Sequence, residues 1–230
     1  MTLAVRSRFD EHAIAGIRAR FADVGCAQMA DAAAEFVQPL RLPLSARNDR
    51  LRVCGPMFPV TTRDDMLPCL QALAACPPGW VLVIVNETRP SEALAGDIFA
   101  ASATVQRLGG IVVDGAVRDL ADLAGIDTPV FSTEVTFVSA RTTDVRAQDV
   151  PGTAVTAGQT LRPGDWIFGD PDGFLTLAEE RVSAVLAAGA ILRQRERTLI
   201  GSMQSGEGTL ATLTGLDQFL AGTGPLKFAP

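Results

Sequence analysis

Apolar residues change their spacing near residue 80 of the chain. Before that point they recur every three or four positions, as a helix with one buried face requires. Phe9 to Phe21 carries Ile14, Ile17 and Phe21 on one side and predicts an opening helix. The alanine-rich stretch from Cys26 to Phe36 predicts a second. A third begins at Asp64-Asp65, carries Met66, Leu67, Leu70, Leu73 and Ala74, and is ended by Pro77-Pro78-Gly79. Its two acids suit the positive end of a helix dipole.

Beyond residue 80 the apolar runs become short and continuous. Trp80 to Val85 and Gly110 to Val113 have the β-branched, uninterrupted composition of strands covered on both faces, with a helical segment from Asp97 to Leu108 between them. Strand, helix and strand in that order predict a βαβ unit with a parallel pair. Further on, Val130-Phe131, Val135 to Val138 and Thr153 to Val155 fit short strands, and Asp165 to Phe168 and Phe174 to Leu177 flank a Gly169-Asp170-Pro171-Asp172-Gly173 turn as a hairpin. A long helix is expected from about Glu179 to Leu199, and the glycine-rich residues 201–230 read as an irregular tail. The pattern predicts one α/β unit over residues 1–230 in three layers, with a core at about 20–200.

Composition narrows the chemistry. The chain has 230 residues, a formal charge of -6 and 20 basic against 26 acidic residues, which argues against nucleic acid as a partner. No apolar run reaches the length of a membrane span and the first twenty residues hold no signal-peptide core, so no membrane partner and a cytoplasmic location are expected. The four cysteines, Cys26, Cys54, Cys69 and Cys76, lack the Cys-x-x-Cys spacing of a zinc or redox site. His12 is the sole histidine and Lys227 the sole lysine, which removes a three-histidine zinc site, a Walker-type phosphate loop and most Schiff-base mechanisms. Carbonyl chemistry in such a chain calls for a metal.

Two stretches gather small residues, acids and an arginine where strands hand over to helices. One is Leu94 to Phe99, including Gly96, Asp97, Ile98 and Phe99; the other is Val113 to Asp122, including Asp114, Arg118, Asp119 and Asp122. The first amides of a helix can hold an anion, an arginine can grip a carboxylate with two parallel hydrogen bonds, and carboxylates without histidine or thiolate neighbours suit Mg²⁺ or Mn²⁺. The same residues serve equally well as ordinary helix caps and surface ion pairs, with Arg118 paired to Asp114 or Asp122. Spacing alone does not separate these alternatives.

Taken together, Gly96-Asp97, the run Gly109 to Asp119 and Arg118-Asp119-x-x-Asp122 resemble the RraA-like family. Cys26 to Ala33 and the segment Leu161-Arg162-Pro163-Gly164-Asp165 through Gly173 are similar to further stretches of that family, so the likeness covers about 20–200. The family includes class II 4-hydroxy-4-methyl-2-oxoglutarate and 4-carboxy-4-hydroxy-2-oxoadipate aldolases, and some members bear a legacy demethylmenaquinone methyltransferase label. The resemblance implies a three-layer β/β/α swivelling-type fold, homotrimers or hexamers, and sites between protomers. It also implies a lyase that releases pyruvate from 4-hydroxy-2-oxo di- or tricarboxylic acids through a metal-stabilised enolate and decarboxylates oxaloacetate. Position by position, Asp119 would bind Mg²⁺ or Mn²⁺, Asp97 would hold its waters, and Arg118 with Gly96 and the Ile98 and Phe99 amides would hold the oxo acid. A glutamate from a neighbouring protomer would complete the water shell, with Glu196 the expected residue and Glu207 and Glu180 the alternatives. The resemblance also admits a non-catalytic protein that binds and inhibits a ribonuclease. A methyltransferase is disfavoured, since no glycine-rich nucleotide loop is present.

Overall fold

A computed structural model describes residues 7–88, 92–142 and 146–227, so the extreme ends of the expected 1–230 unit lie outside it. The helices are α1 (Glu11–Val24), α2 (Cys26–Ala32), α3 (Met66–Ala75), α4 (Asp97–Val105), α5 (Leu120–Leu123), α6 (Val182–Gln204), α7 (Leu210–Thr214) and α8 (Leu216–Leu220). The strands are β1 (Gln38–Pro39), β2 (Ser45–Ala46), β3 (Val53–Thr62), β4 (Val81–Asn86), β5 (Ala93–Ala95), β6 (Gly110–Val117), β7 (Val130–Val135), β8 (Ala154–Thr156), β9 (Gln159–Leu161), β10 (Trp166–Asp170) and β11 (Gly173–Leu177). Most form one mixed sheet in the order β1-β11-β10-β3-β4-β6-β7-β2, with β5 added beside β6. Its middle, β3 to β7, is parallel, and the β10-β11 hairpin joins β3 antiparallel.

The continuous apolar run of β4 follows from its place in that sheet. Leu82 and Ile84 point into the core shared with Phe21, Met29 and Leu186 of the helices, whereas Val81, Val83 and Val85 point into a second core with Ala154 and Leu161 of the β8-β9 hairpin. Both faces being covered, neither parity of the strand can be polar. Helices, large sheet and small hairpin make a β/β/α arrangement of three layers. Thr156 of the hairpin donates a hydrogen bond to Asp114 on β6, which fixes the small layer to the large one.

The pattern and the structure part in several places. The ten-residue β3, central in the sheet and buried along nearly its whole length, is absent from the pattern because Pro56 and Pro59 interrupt it, residues that ordinarily mark an edge. Both are accommodated between the antiparallel β10 and the parallel β4. Helix α2 ends at Ala32 rather than Phe36, because Ala33 turns to φ -151° and Phe36 instead lies under the Arg181 guanidinium. Strand β7 stops at Val135, and Phe137 stands 91% exposed. The tail is less irregular than its glycines suggest: α6 continues to Gln204, and the short α7 and α8 follow, separated by Gly215 in the left-handed conformation.

Asp170, at the end of β10, is 4% exposed; its carboxylate accepts the Cys26 N–H at 2.8 Å and the Asp172 N–H at 3.0 Å. One side chain thus ties the hairpin turn to the start of α2, a helix whose N-cap, Gly25, has no side chain to offer. Asp170→Ala strands the buried Cys26 amide and is expected to lower unfolding free energy by about 2 kcal/mol. Chemical denaturation measures this; an unchanged midpoint would contradict the role.

Candidate active site

The parallel strands β4, β5 and β6 run the same way, so the turns at their C-terminal ends share one edge of the sheet, the edge where open α/β sheets bind ligands. Gly96 and Asp97 lie in the turn from β5 into α4, and Arg118 and Asp119 in the turn from β6 into α5. The Arg118 N–H bonds the Ala95 carbonyl at 3.1 Å, which draws the two turns together.

Asp119 holds a left-handed backbone, φ 60° and ψ 42°, that a residue with a side chain adopts at a cost. Its carbonyl accepts the Asp122 and Leu123 amides at 3.1 and 2.9 Å, so the backbone starts α5 while the side chain makes no capping hydrogen bond. The carboxylate is turned instead toward Gly96 and Arg118, with Asp119 Oδ2 3.0 Å from Arg118 Nε. A Cβ added to Gly96 would lie 2.5 Å from that Oδ2 and 3.2 Å from Arg118 Cγ. Gly96 has an ordinary extended φ of -156°, so it is required for room and not for conformation.

These contacts remove two of the alternatives that spacing left open, the side-chain cap at Asp119 and the pairing of Arg118 with Asp114 or Asp122. Asp119 is not a side-chain cap, and α4 begins at Gly96 without any side-chain cap, leaving the first amides of α4, those of Ile98 and Phe99 included, free of side-chain competition. Arg118 pairs with neither Asp114, which is engaged by Thr156, nor Asp122, which is exposed at the surface. Its Nε is committed to Asp119, and its Nη groups have no protein partner among the described residues.

A cleft of about 310 Å³ opens on this corner. Gly96, Asp97, Ile98, Phe99, Arg118 and Asp119 line one part of it, and Met66, Leu70 and Leu73 of α3 with Ala93, Ala95 and Ser139 line the rest. Asp119 also faces a second depression bounded by Leu120, Val135, Thr136 and Phe137. Helical spacing puts Met66, Leu70 and Leu73 on one face of α3; Leu73 is buried in the core, whereas Leu70 is 48% exposed and walls the cleft. A signal for this wall existed in the acids before α3, which place that helix at the same sheet edge once β3 is known to be a strand.

Of the three glutamates, Glu196 is half-buried on α6 and accepts a hydrogen bond from Gln28 Nε2 at 2.9 Å, with Arg193 at 3.7 Å. Glu180 is exposed, and Glu207 bonds Ser205 while hydrogen bonds from Ser202 and Ser205 hold its carboxyl below the usual range. Among the described residues no three His, Cys, Asp or Glu side chains converge to cage a metal. The cysteines are all buried and unpaired; burial pushes the Cys69 thiol up to about 12 and raises the other three as well, which leaves no thiolate chemistry at neutral pH. No helix among the described residues is long and apolar enough to cross a membrane.

A family model described as RraA-like, Aldolase/RraA, matches residues 26–176. A Halalkalibacterium halodurans protein with the provisional name 4-hydroxy-4-methyl-2-oxoglutarate aldolase is 32% identical over 140 residues, 60% of this chain and 66% of its own. An Alkalilimnicola ehrlichii protein with the same provisional name is 35% identical over 150 residues, covering 59% and 92%. The crystal structure of Streptomyces coelicolor RraAS2, described as an unusual member of the RNase ES inhibitor RraA protein family, superposes with a TM-score of 0.67 at 20% identity, covering 84% of this chain and 98% of that one, a likeness of fold.

Gly96→Ala tests the packing of the corner. The obstructed atom is the tip of a side chain, so the variant is expected to fold with a stability change below about 1 kcal/mol while Asp119 is displaced. A crystal structure of the variant should show the Arg118–Asp119 pair broken; an intact pair would contradict the account.

Proposed function

The chain belongs to the RraA-like family, and from that premise we propose that it is a divalent-metal-dependent lyase, releasing pyruvate from 4-hydroxy-2-oxo acids and decarboxylating oxaloacetate. The observation that carries the proposal is the Asp119 carboxylate, held off its own helix and packed against Gly96 beside Arg118. A helix cap or a surface ion pair has no need of a left-handed aspartate or of a neighbour lacking a Cβ.

The donor set fits a hard cation that keeps most of its water. Asp119 would supply one carboxylate, Asp97, which lines the same cleft at the head of α4, would accept hydrogen bonds from coordinated waters, and Mg²⁺ or Mn²⁺ needs no protein cage. When bound, such an ion supplies a Lewis acid for the keto oxygen. The protein's own groups do the rest. The Arg118 Nη fork and the Ile98 and Phe99 amides bind the carboxylate of the oxo acid, and the Arg118 charge lies close to where negative charge develops. In the aldol cleavage a base takes the C4 hydroxyl proton, the C3–C4 bond breaks with its electron pair moving into the C2–C3 enolate, and protonation at C3 yields pyruvate. Loss of carbon dioxide from oxaloacetate breaks the equivalent bond and gives the same enolate.

The apolar rim of Leu120, Val135 and Phe137 around Asp119, 40%, 45% and 91% exposed, suits burial against a second copy of the chain. We place the site at that junction in a homotrimer or hexamer, with Glu196 of a neighbouring protomer completing the water shell of the ion. Light scattering should therefore return three or six times the 24.2 kDa chain mass, and a monomer would remove this part of the proposal.

Pyruvate release followed with a coupled dehydrogenase tests the chemistry. Asp119→Ala and Arg118→Ala are expected to lose at least about a hundredfold in kcat/KM with the folded state retained by circular dichroism, and EDTA to abolish activity that Mg²⁺ restores. Full activity in EDTA would overturn the metal. Absence of turnover on every oxo acid, together with specific retention of a ribonuclease, would favour the inhibitor function that the RraAS2 description carries.

A further inference from the structure

Strand β6 changes partners just before it reaches the site. Its first residues pair with β4 as far as Val85 and Asp114, and its last pair with β5 through Ala93 with Ala116 and Ala95 with Val117. On its other side β6 follows β7, but the register slips: Val113 pairs with Ser132 and Ala116 with Glu134, so Asp114 and Gly115 face Thr133 alone. This is a β-bulge, by which a strand gains one residue and re-aims those that follow. One side chain replaces the ladder bonds that the slip interrupts. Thr133 Oγ1 accepts the Gly115 N–H at 2.9 Å, and its hydroxyl donates to the Gly115 carbonyl at 3.1 Å. Gly115 itself takes φ 157°, a backbone that favours glycine.

We propose that Thr133 is a positioning residue for the site, its hydroxyl locking the bulge that brings Arg118 and Asp119 opposite Gly96. The consequence for catalysis rests on the function proposed above. Thr133 lines neither the cleft nor the depression beside Asp119, so it acts on the site through β6 and not by touching a ligand. Immediately past the bulge the Thr136 N–H donates to the Val117 carbonyl at 3.0 Å and the Arg118 N–H to the Ala95 carbonyl at 3.1 Å. Losing the extra residue would shift both contacts by one position and carry Asp119 away from the space left at Gly96. Thr156 donates to Asp114, the other residue of the bulge, so hydroxyls from β7 and from the small hairpin clamp the same pair. An apolar side chain at position 133 would leave the Gly115 N–H and carbonyl without these partners.

Thr133→Val keeps the shape of the side chain and removes its hydroxyl, whereas Thr133→Ser keeps the hydroxyl. In the full chain each variant is read by oxaloacetate decarboxylation, by Mn²⁺ affinity from the paramagnetic resonance of the free ion, and by hydrogen exchange of the segment 113–119. Thr133→Val is expected to lose at least about tenfold in kcat and about tenfold in Mn²⁺ affinity and to exchange the segment faster, while Thr133→Ser stays within about twofold of the wild type throughout. Asp170→Ala, destabilised at β10 and α2, controls for stability and should keep the wild-type kcat and Mn²⁺ affinity. Wild-type kcat and Mn²⁺ affinity in Thr133→Val, or an equal loss in Thr133→Ser or Asp170→Ala, would overturn the inference. Rapid exchange of the Gly115 amide in the wild type would do the same, a check that needs no variant to fold. A wild type that neither decarboxylates oxaloacetate nor binds Mn²⁺ sinks the proposed function. The bulge is then judged by exchange alone: protection lost in Thr133→Val and kept in Thr133→Ser supports the lock, and equal protection in both overturns it.

Discussion

The site depends on a single close approach, the Asp119 carboxylate against a residue that has no Cβ. Everything around that contact serves to hold it. Strand β6 delivers Arg118 and Asp119 to the edge of the sheet, β5 delivers Gly96 beside them, and the hydrogen bond from the Arg118 amide to Ala95 sets the spacing of the two turns. The left-handed backbone at Asp119 separates the duties of one residue, with its carbonyl starting α5 and its carboxylate turned away from that helix. Strain of this kind persists only where the surroundings over-determine it, and here they do, through the buried strands β5 and β6 on one side and the Arg118 pair on the other.

The layers explain why such a corner can be rigid. Helices α1, α2 and α6 and the β8-β9 hairpin cover opposite faces of the sheet, so β4 and β6 are packed on both sides and their C-terminal ends have little freedom. The chemistry is then assembled from turns on a stiff frame, an arrangement that favours preorganised electrostatics over moving parts. It also separates duties along the cleft, with charge at the turns and apolar surface on α3.

Much of this was legible in the sequence, for identifiable reasons. The continuous runs at Trp80 to Val85 and Gly110 to Val113 announced buried parallel strands, and Gly169 to Gly173 announced a hairpin, because those signals are local. Strand β3 was hidden, since its core position depends on neighbours far away in sequence that tolerate Pro56 and Pro59. For the site, residue types pointed to Gly96, Asp97, Arg118 and Asp119, and family resemblance gave them roles, but no local rule separated a metal-binding aspartate from a helix cap. The dihedral angles of Asp119 and the space at Gly96 exclude a side-chain cap and support the metal-ligand role proposed for it. Leu70 shows the converse: helical periodicity marks a residue as apolar-facing without telling whether it faces a core or an open cleft.

The most direct measurement is a crystal structure with Mn²⁺ and oxalate, located by the anomalous scattering of manganese. The account predicts one ion about 2.1 Å from an Asp119 carboxylate oxygen, waters between it and Asp97, and an oxalate carboxylate in the Arg118 fork. A corner that stays empty at saturating Mn²⁺, with Asp119 still closed on Arg118, would contradict it.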